Sequence, residues 1–232
     1  VILDSGARER PEIMAAMERD AVAAVRFAVT RSGGKGLIAF SGGKDALVAA
    51  HIAQRAGVND AVCEVSFYFP KQLASIKQIA SGMGLNVTYL DSLSADWLRR
   101  NRHVVFSTDG KVRGWSFAQR QQKTVKRHAK KVGATCCIFG RRTEENSVPA
   151  ITYTTKDGWQ CHPLRNWQTH HIWTYISAHG LSVPWIYRTK FGEYEGNAPF
   201  YTLNPRNVGG VQQAWSLVRE LEPTFTPERF GL

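Results

Sequence analysis

The stretch whose residue types most directly suggest chemistry is Ser41-Gly42-Gly43-Lys44-Asp45. It follows a short apolar run, Leu37-Ile38-Ala39-Phe40, that reads as a buried strand. It precedes a helical segment from Ala46 to about Arg55, with Gly57 as the C-terminal cap. Paired glycines let a backbone approach a ligand and turn its N–H groups toward it. The start of a helix adds partial positive charge, and Lys44 adds a full one. The combination suits a phosphate or pyrophosphate. An ordinary strand-to-helix turn fits the same five residues.

A second group repeats the arrangement. Thr135 to Phe139 reads as another buried strand, and it ends in Gly140-Arg141-Arg142-Thr143-Glu144-Glu145-Asn146-Ser147. Two guanidiniums at a strand end can grip phosphate or sulfate bidentately. Glu144 or Glu145 can orient an arginine or help to hold Mg²⁺. A surface loop with an Arg–Glu pair is the plain alternative. A third segment runs from His162-Pro163-Leu164-Arg165-Asn166-Trp167 through a helix over Thr169 to His179, capped by Thr169, to Trp185-Ile186-Tyr187. Ile172, Trp173 and Ile176 form the apolar face of that helix, and its tryptophans read as packing residues.

The elements that must position these groups follow a strand–helix alternation. Pro11 to Thr30 has the spacing of an amphipathic leading helix, and Ser32-Gly33-Gly34 breaks the chain after it. Ala61 to Phe67 is a second strand, Pro70 opens a helix reaching Gly82-Met83-Gly84, and Val87 to Leu90 is a third strand. A short helix is expected over Asp96 to His103, a turn over Thr108 to Lys111, and a basic helix over Ser116 to Val132. Such alternation implies right-handed crossovers and a mostly parallel twisted α/β sheet with helices on both faces. Ligands then sit at the carboxyl ends of the strands, where Ser41–Asp45 lies.

Bulk properties bound the rest. The 232 residues carry 43% hydrophobic and 21% charged side chains, which describes a globular α/β chain. No apolar run approaches the roughly 20 residues that span a bilayer, and no secretory signal is visible. A cytoplasmic protein without membrane contact is expected. Cys63, Cys136, Cys137 and Cys161 show no metal-ligand spacing and read as buried reduced thiols. The net charge of +11 is concentrated between Arg99 and Arg142, where Asp109 is the only acid. Such a stripe attracts polyanions, from a nucleotide to a nucleic acid, unless it is only a solvated helix face.

Ser41–Asp45 resembles the S-G-G-x-D-S PP-loop of the ATP pyrophosphatase and phosphoadenosine phosphosulfate (PAPS) reductase superfamily, with Ala46 in place of the last serine. Gly140–Ser147 resembles the G-x-R-x-x-E-S loop of the PAPS reductases, and the third segment resembles theirs of Pro-Leu, Asp-Trp, a helix, Leu-Pro and Tyr. The trio occurs in the family's order.

The resemblance implies an adenine nucleotide α-hydrolase-like fold, organised as a leading helix and linker (1–35), a nucleotide-binding domain (36–187) and a C-terminal tail (188–232) packing on or covering the site. It implies that Ser41, Gly42, Gly43, Lys44, Asp45, Gly140 and Arg141 bind ATP or PAPS. Lys44, Asp45, Arg141 and Arg142 would be catalytic, and Asp45 and Glu144 would hold Mg²⁺. The reductases' C-terminal Glu-Cys-Gly-Leu-His nucleophile is missing, as is the later C-x-x-C of the iron–sulfur type. No iron–sulfur cluster is therefore expected. The family's Asp-Thr-Gly after the second strand is also replaced, by residues near Ser66 to Phe69.

The leading expectation is cleavage of ATP to AMP and pyrophosphate with adenylation of an acceptor, as in the superfamily's ATP sulfurylase small subunits, FAD synthetases and DNA-sulfur-modification enzymes. The alternatives are a sulfonucleotide reductase that borrows a partner's thiols and a non-catalytic nucleic-acid-binding protein using the basic stripe. A homo-oligomer is compatible with all three.

Overall fold

Pro11 starts the first helix at a position that needs no amide donor, and Gly33, at φ 109°, ends it. That helix, α1 (Pro11–Ser32), buries Met14, Ala21, Val25 and Ala28 along one stripe. The computed structural model describes residues 10–66, 68–91, 95–109, 123–145, 149–154, 158–188, 210–221, 223–224 and 226. Within them follow β1 (Gly36–Ala39), α2 (Lys44–Arg55), β2 (Asp60–Glu64), α3 (Pro70–Gly82), β3 (Asn86–Leu90), α4 (Ala95–Arg100) and α5 (Arg102–Val105). A helix over residues 123–131 (α6) precedes β4 (Cys136–Ile138). Then come β5 (Ile151–Thr154), β6 (Gly158–Cys161), α7 (Thr169–Ala178), a 3₁₀ turn at Trp185–Arg188 and α8 (Val211–Leu221).

The six strands form one sheet in the order β3-β2-β1-β4-β6-β5. β1 runs parallel to β2 and to β4, and β4 runs parallel to β6. Leu37 and Ile38 of β1 and Cys136, Cys137 and Ile138 of β4 are all buried, as expected of central parallel strands covered on both faces. The mostly parallel α/β architecture expected from the alternation is therefore present. From β1 the chain adds strands on one side, then crosses to the other side at β4. The β1/β4 boundary is thus the topological switch point, where open α/β sheets place their ligands.

The chain divides into two compact units. One comprises Val1–Cys63, Gln78–Thr88 and Lys126–Pro184. In it α1, α2 and α7 share a polar cluster: Glu18 pairs with Arg55 and with His179 Nε2 (3.2 Å), while His51 Nδ1 lies 2.9 Å from the Tyr175 hydroxyl. The other comprises Glu64–Lys77, Tyr89–Val125 and Trp185–Leu232. There Trp185 N donates to Ser75 Oγ and Ile186 N to Gln72 Oε1, fixing the 3₁₀ turn on α3.

Several local expectations change. The helix expected over Asp96 to His103 is broken at Asn101, whose backbone leaves helical values (φ −113°, ψ 16°) while its side-chain amide (2.8 Å) and its own N–H (3.1 Å) both donate to the Trp97 carbonyl. α7 is capped by Gln168 rather than Thr169: His171 Nδ1 accepts from Gln168 N in a reciprocal box, because Thr169 is engaged elsewhere. β5 and β6 form an antiparallel hairpin that the apolar pattern did not predict. Asp157-Gly158 before β6 is the turn signal that could have found it. Residues 116–122 of the expected basic helix, and 110–111 of the expected turn, lie outside the described residues. Among the described residues no helix is long and apolar enough to cross a membrane.

Candidate functional site

Three neighbouring parallel strands deliver three loops to one edge of the sheet. β1 leads into Ser41–Asp45, β4 into Gly140–Glu145, and β6 into His162–Arg165. Backbone bonds tie the second loop to the third: Phe139 N donates to Cys161 O (2.9 Å) and Thr143 N to Arg165 O (2.8 Å).

The first loop turns through Gly42 at φ 72°, a conformation glycine adopts without strain. Gly43 is extended and stands as the N-cap of α2, and no side chain caps that end. The first amides of a twelve-residue helix therefore face the loop, the arrangement that receives anions. Gly140 lies against the same turn. A Cβ placed on it would sit 2.5 Å from the Asp45 carbonyl oxygen and 2.8 Å from Ala46 N. The two loops touch through backbone, and only glycine permits the approach.

Side chains join them as well. Lys44, 3% exposed, places Nζ 2.8 Å from Asp45 Oδ2. Asp45 Oδ1 lies 2.7 Å from Arg142 Nε. That second contact is an ion pair without hydrogen-bond alignment, since neither atom has a hydrogen-bond partner. Arg142, 1% exposed, also pairs with Glu144 and, at 3.1 Å, with Glu145. Glu144 Oε2 accepts both the amide and the hydroxyl of Thr169, each at 3.0 Å, which fixes the start of α7 to the loop.

Electrostatics follow this geometry. Burial opposes the charge of Arg142, but Asp45, Glu145 and Glu144 outweigh it and raise its pKa. Burial likewise opposes ionisation of Glu144, yet the Thr169 hydrogen bond and Arg142 hold its carboxyl below the usual range. Burial and the Asp45 charge push Glu145 upward, against Arg142 and Lys44.

Arg141 is exposed, and its guanidinium carbon stands 5.0 Å from the centre of the Phe139 ring. Phe139 in turn stacks on His162, with centroids 5.6 Å apart. His162 is 3% exposed, and its Nδ1 has no hydrogen-bond partner. Burial, with Arg141 adding to it, lowers its pKa to about 4. As pH falls below the ordinary imidazole value, the unfolded chain takes up a proton that the folded one refuses. Stability is therefore lost between about pH 6.5 and 4, by roughly 2 to 3 kcal/mol at pH 4.5. Urea unfolding at pH 7 and 4.5 should show that His162→Phe, which keeps the stack, removes this part of the acid loss.

The structure brings Ser41 to Asp45 together with Gly140 and Arg142. The two adjacent arginines differ sharply: Arg142 is a buried strut and Arg141 is exposed. Phe139 and His162 were not singled out by the motif patterns, although His162 opens the third segment. Near the expected Asp-Thr-Gly position, Ser66 donates through both its amide and hydroxyl to Glu64 Oε1, and both residues are buried. All four cysteines are free and buried, and burial pushes Cys136 and Cys161 up to about 12.

For a metal the donor set is thin. Both Asp45 oxygens lie against cations, and Glu144 Oε2 is occupied by Thr169 and Arg142. Among the described residues no group of three or more His, Cys, Asp or Glu could hold a metal ion. Mg²⁺ commonly rests on one or two carboxylates plus substrate phosphates, so this chain by itself offers it no cage.

A glycine turn into the start of α2 at the switch point of a mostly parallel sheet, braced by a second glycine-arginine loop, is an α/β arrangement of the adenine-nucleotide α-hydrolase-like kind. The model of the phosphoadenosine phosphosulfate reductase domain matches residues 35–203, and the chain belongs to that family. Among similar solved structures is the crystal structure of phosphoadenylyl-sulfate (PAPS) reductase from Candida auris in a phosphate complex. It aligns with a TM-score of 0.53 at 14% identity, covering 77% of this chain and 91% of that one, a likeness of fold. No curated protein matches the sequence.

Proposed function

We propose that the chain binds a sulfonucleotide of the PAPS type at the Ser41–Asp45 and Gly140–Arg142 loops and serves its reduction with thiols supplied by a partner protein. The observation that carries this is the joined pair of loops at the β1/β4 switch point in a chain of this family. Reducing a sulfuryl group to sulfite takes two electrons, which two thiols supply by closing a disulfide. No thiolate of this chain is suited to the attack, because all four thiols are buried. The α2 amides and Lys44 receive the anionic groups of the ligand. Arg142 holds Asp45 in place, and Arg141, on its phenylalanine platform, meets the outer anion.

A second function would use the same two joined loops: cleavage of ATP to AMP and pyrophosphate, with transfer of AMP to an acceptor. One pair of assays separates the two. Sulfite released from PAPS in the presence of reduced thioredoxin supports the first. Pyrophosphate released from ATP and magnesium, with no sulfite from PAPS, rejects it in favour of the second. Lys44→Ala should lower either activity by about 100-fold or more, the effect of removing one preorganised donor. Undiminished turnover by that variant would dismiss the cradle.

A further inference from the structure

Among the described residues, the large apolar side chains that stand exposed are Ile13, at 41%, and Phe27, at 57%, and both lie on α1. At about 100° per residue, Ile13, Met17, Asp20, Ala24, Phe27 and Arg31 fall within roughly 80° of arc. That stripe stands about 90° round the helix from the buried one of Met14, Ala21, Val25 and Ala28. Glu12, Arg19, Arg26 and Thr30 occupy a third, polar face. The helix therefore has two apolar stripes, and its own chain buries one of them. Single apolar side chains are ordinary on a surface, but these two share a stripe with Met17 and Ala24, both half-buried.

The stripe carries one charge of each sign. Asp20 and Arg31 are exposed, and neither has an opposite charge three or four residues away along the helix. They flank Ala24 and Phe27, a small residue and a large one. These four positions are self-complementary about a two-fold axis. With two copies of α1 antiparallel, aligning Asp20 with the partner's Arg31 also aligns Ala24 with the partner's Phe27. Both pairs share one midpoint, between Val25 and Arg26. The ring fills the space over the alanine, and symmetry repeats each contact. Parallel copies would set Asp20 against its own counterpart. Sliding the antiparallel pair until Ile13 meets the partner's Phe27 would oppose the two Asp20 carboxylates again. The charges therefore select one alignment, as polar residues do between paired helices.

We propose that this face of α1 docks a second copy of the chain, antiparallel and two-fold symmetric, with Asp20 paired to the partner's Arg31 and Phe27 seated on the partner's Ala24. A single helix pair is smaller than a standard interface of about 1,600 Å², so the dimer forms and dissociates with concentration.

The test is sedimentation velocity of the full chain without nucleotide. From about 1 to 100 µM the weight-average mass should rise from one copy toward two. Phe27→Glu places a good helix former at an exposed position and should stay monomeric throughout, with its circular dichroism unchanged. Asp20→Lys and Arg31→Glu should each weaken association by about tenfold, because symmetry turns two attractions into two repulsions. An equimolar mixture of those two variants should associate again, since each copy then meets the opposite sign at both contacts. Three results overturn the proposal. The first is a single-copy mass at every concentration, as when another segment of this chain occupies the stripe. The second is a dimer that Phe27→Glu leaves intact, and the third is a mixture no more associated than its components. The readout is mass alone, so none of these depends on which nucleotide the loops accept.

Discussion

Arg142→Met is expected to lower the unfolding free energy by about 3 kcal/mol and to abolish nucleotide binding. The guanidinium is 1% exposed and ties together Asp45, Glu144 and Glu145. Breaking a buried ion pair by removing one partner costs about 3 to 5 kcal/mol, because the other charge is left without compensation. The lower end applies here: Glu144 and Glu145 are 45% and 43% exposed, and water takes over much of their solvation. Asp45, at 18% exposure, has no such relief, and it turns away from the first turn of α2 once its strut is gone. Thr169 would also lose the brace that holds Glu144 against the start of α7. Urea denaturation measures the first effect and calorimetric titration with PAPS or ATP the second. Arg142→Lys should fall between wild type and Arg142→Met, since a point charge cannot replace a planar fork. An Arg142→Met protein that binds and unfolds like the wild type would show that the strut carries no weight.

Gly140→Ala should be nearly as damaging, for a steric reason alone. The new methyl would lie 2.5 Å from the Asp45 oxygen, 2.6 Å from its carbonyl carbon and 2.8 Å from Ala46 N. These are backbone atoms in the first turn of a helix and cannot rotate aside. Overpacking of this kind costs about 1 to 3 kcal/mol, and here the upper part of that range is expected. Displacing the loop by about 1 Å also weakens catalysis or binding by roughly 100-fold. Gly82→Ala is the control, because a Cβ there meets nothing within 4 Å and its backbone is not left-handed. It should leave binding unchanged and be neutral or slightly stabilising. Equal behaviour of the two variants in a nucleotide titration would refute the close-approach argument.

The part of this architecture most legible in the sequence was the part built from strong local signals. β1 is an uninterrupted apolar run that ends in paired glycines, so the strand, the turn and α2 could all be placed from the sequence. The parallel sheet followed from the lengths between strands, and it put Ser41–Asp45 and Gly140–Arg142 on one edge. Local pattern could not distinguish Arg141 from Arg142. Adjacent residues after a strand have no fixed periodicity, and only the tertiary position of Asp45 decides which guanidinium is drawn inside. Asn101 was read as an ordinary helical residue because its second, side-chain bond to the Trp97 carbonyl depends on a rotamer that local pattern does not fix. The β5–β6 hairpin is made of four-residue strands with little alternation, held by pairing to each other and to β4 rather than by their own apolar faces.

The network around Arg142 has a consequence for how a ligand enters. Lys44, Arg141 and Arg142 are matched one for one by Asp45, Glu144 and Glu145, so the two loops carry no formal surplus of either sign. The carboxylates engage Lys44 and Arg142 rather than Arg141, so a multiply anionic guest meets mainly the oriented α2 amides and the exposed Arg141, with Lys44 shared with Asp45. Glu145 is the group most ready to respond, because burial and the Asp45 charge raise its pKa. An anionic guest beside it is expected to raise that pKa further, so that binding would be accompanied by proton uptake as the pH is lowered.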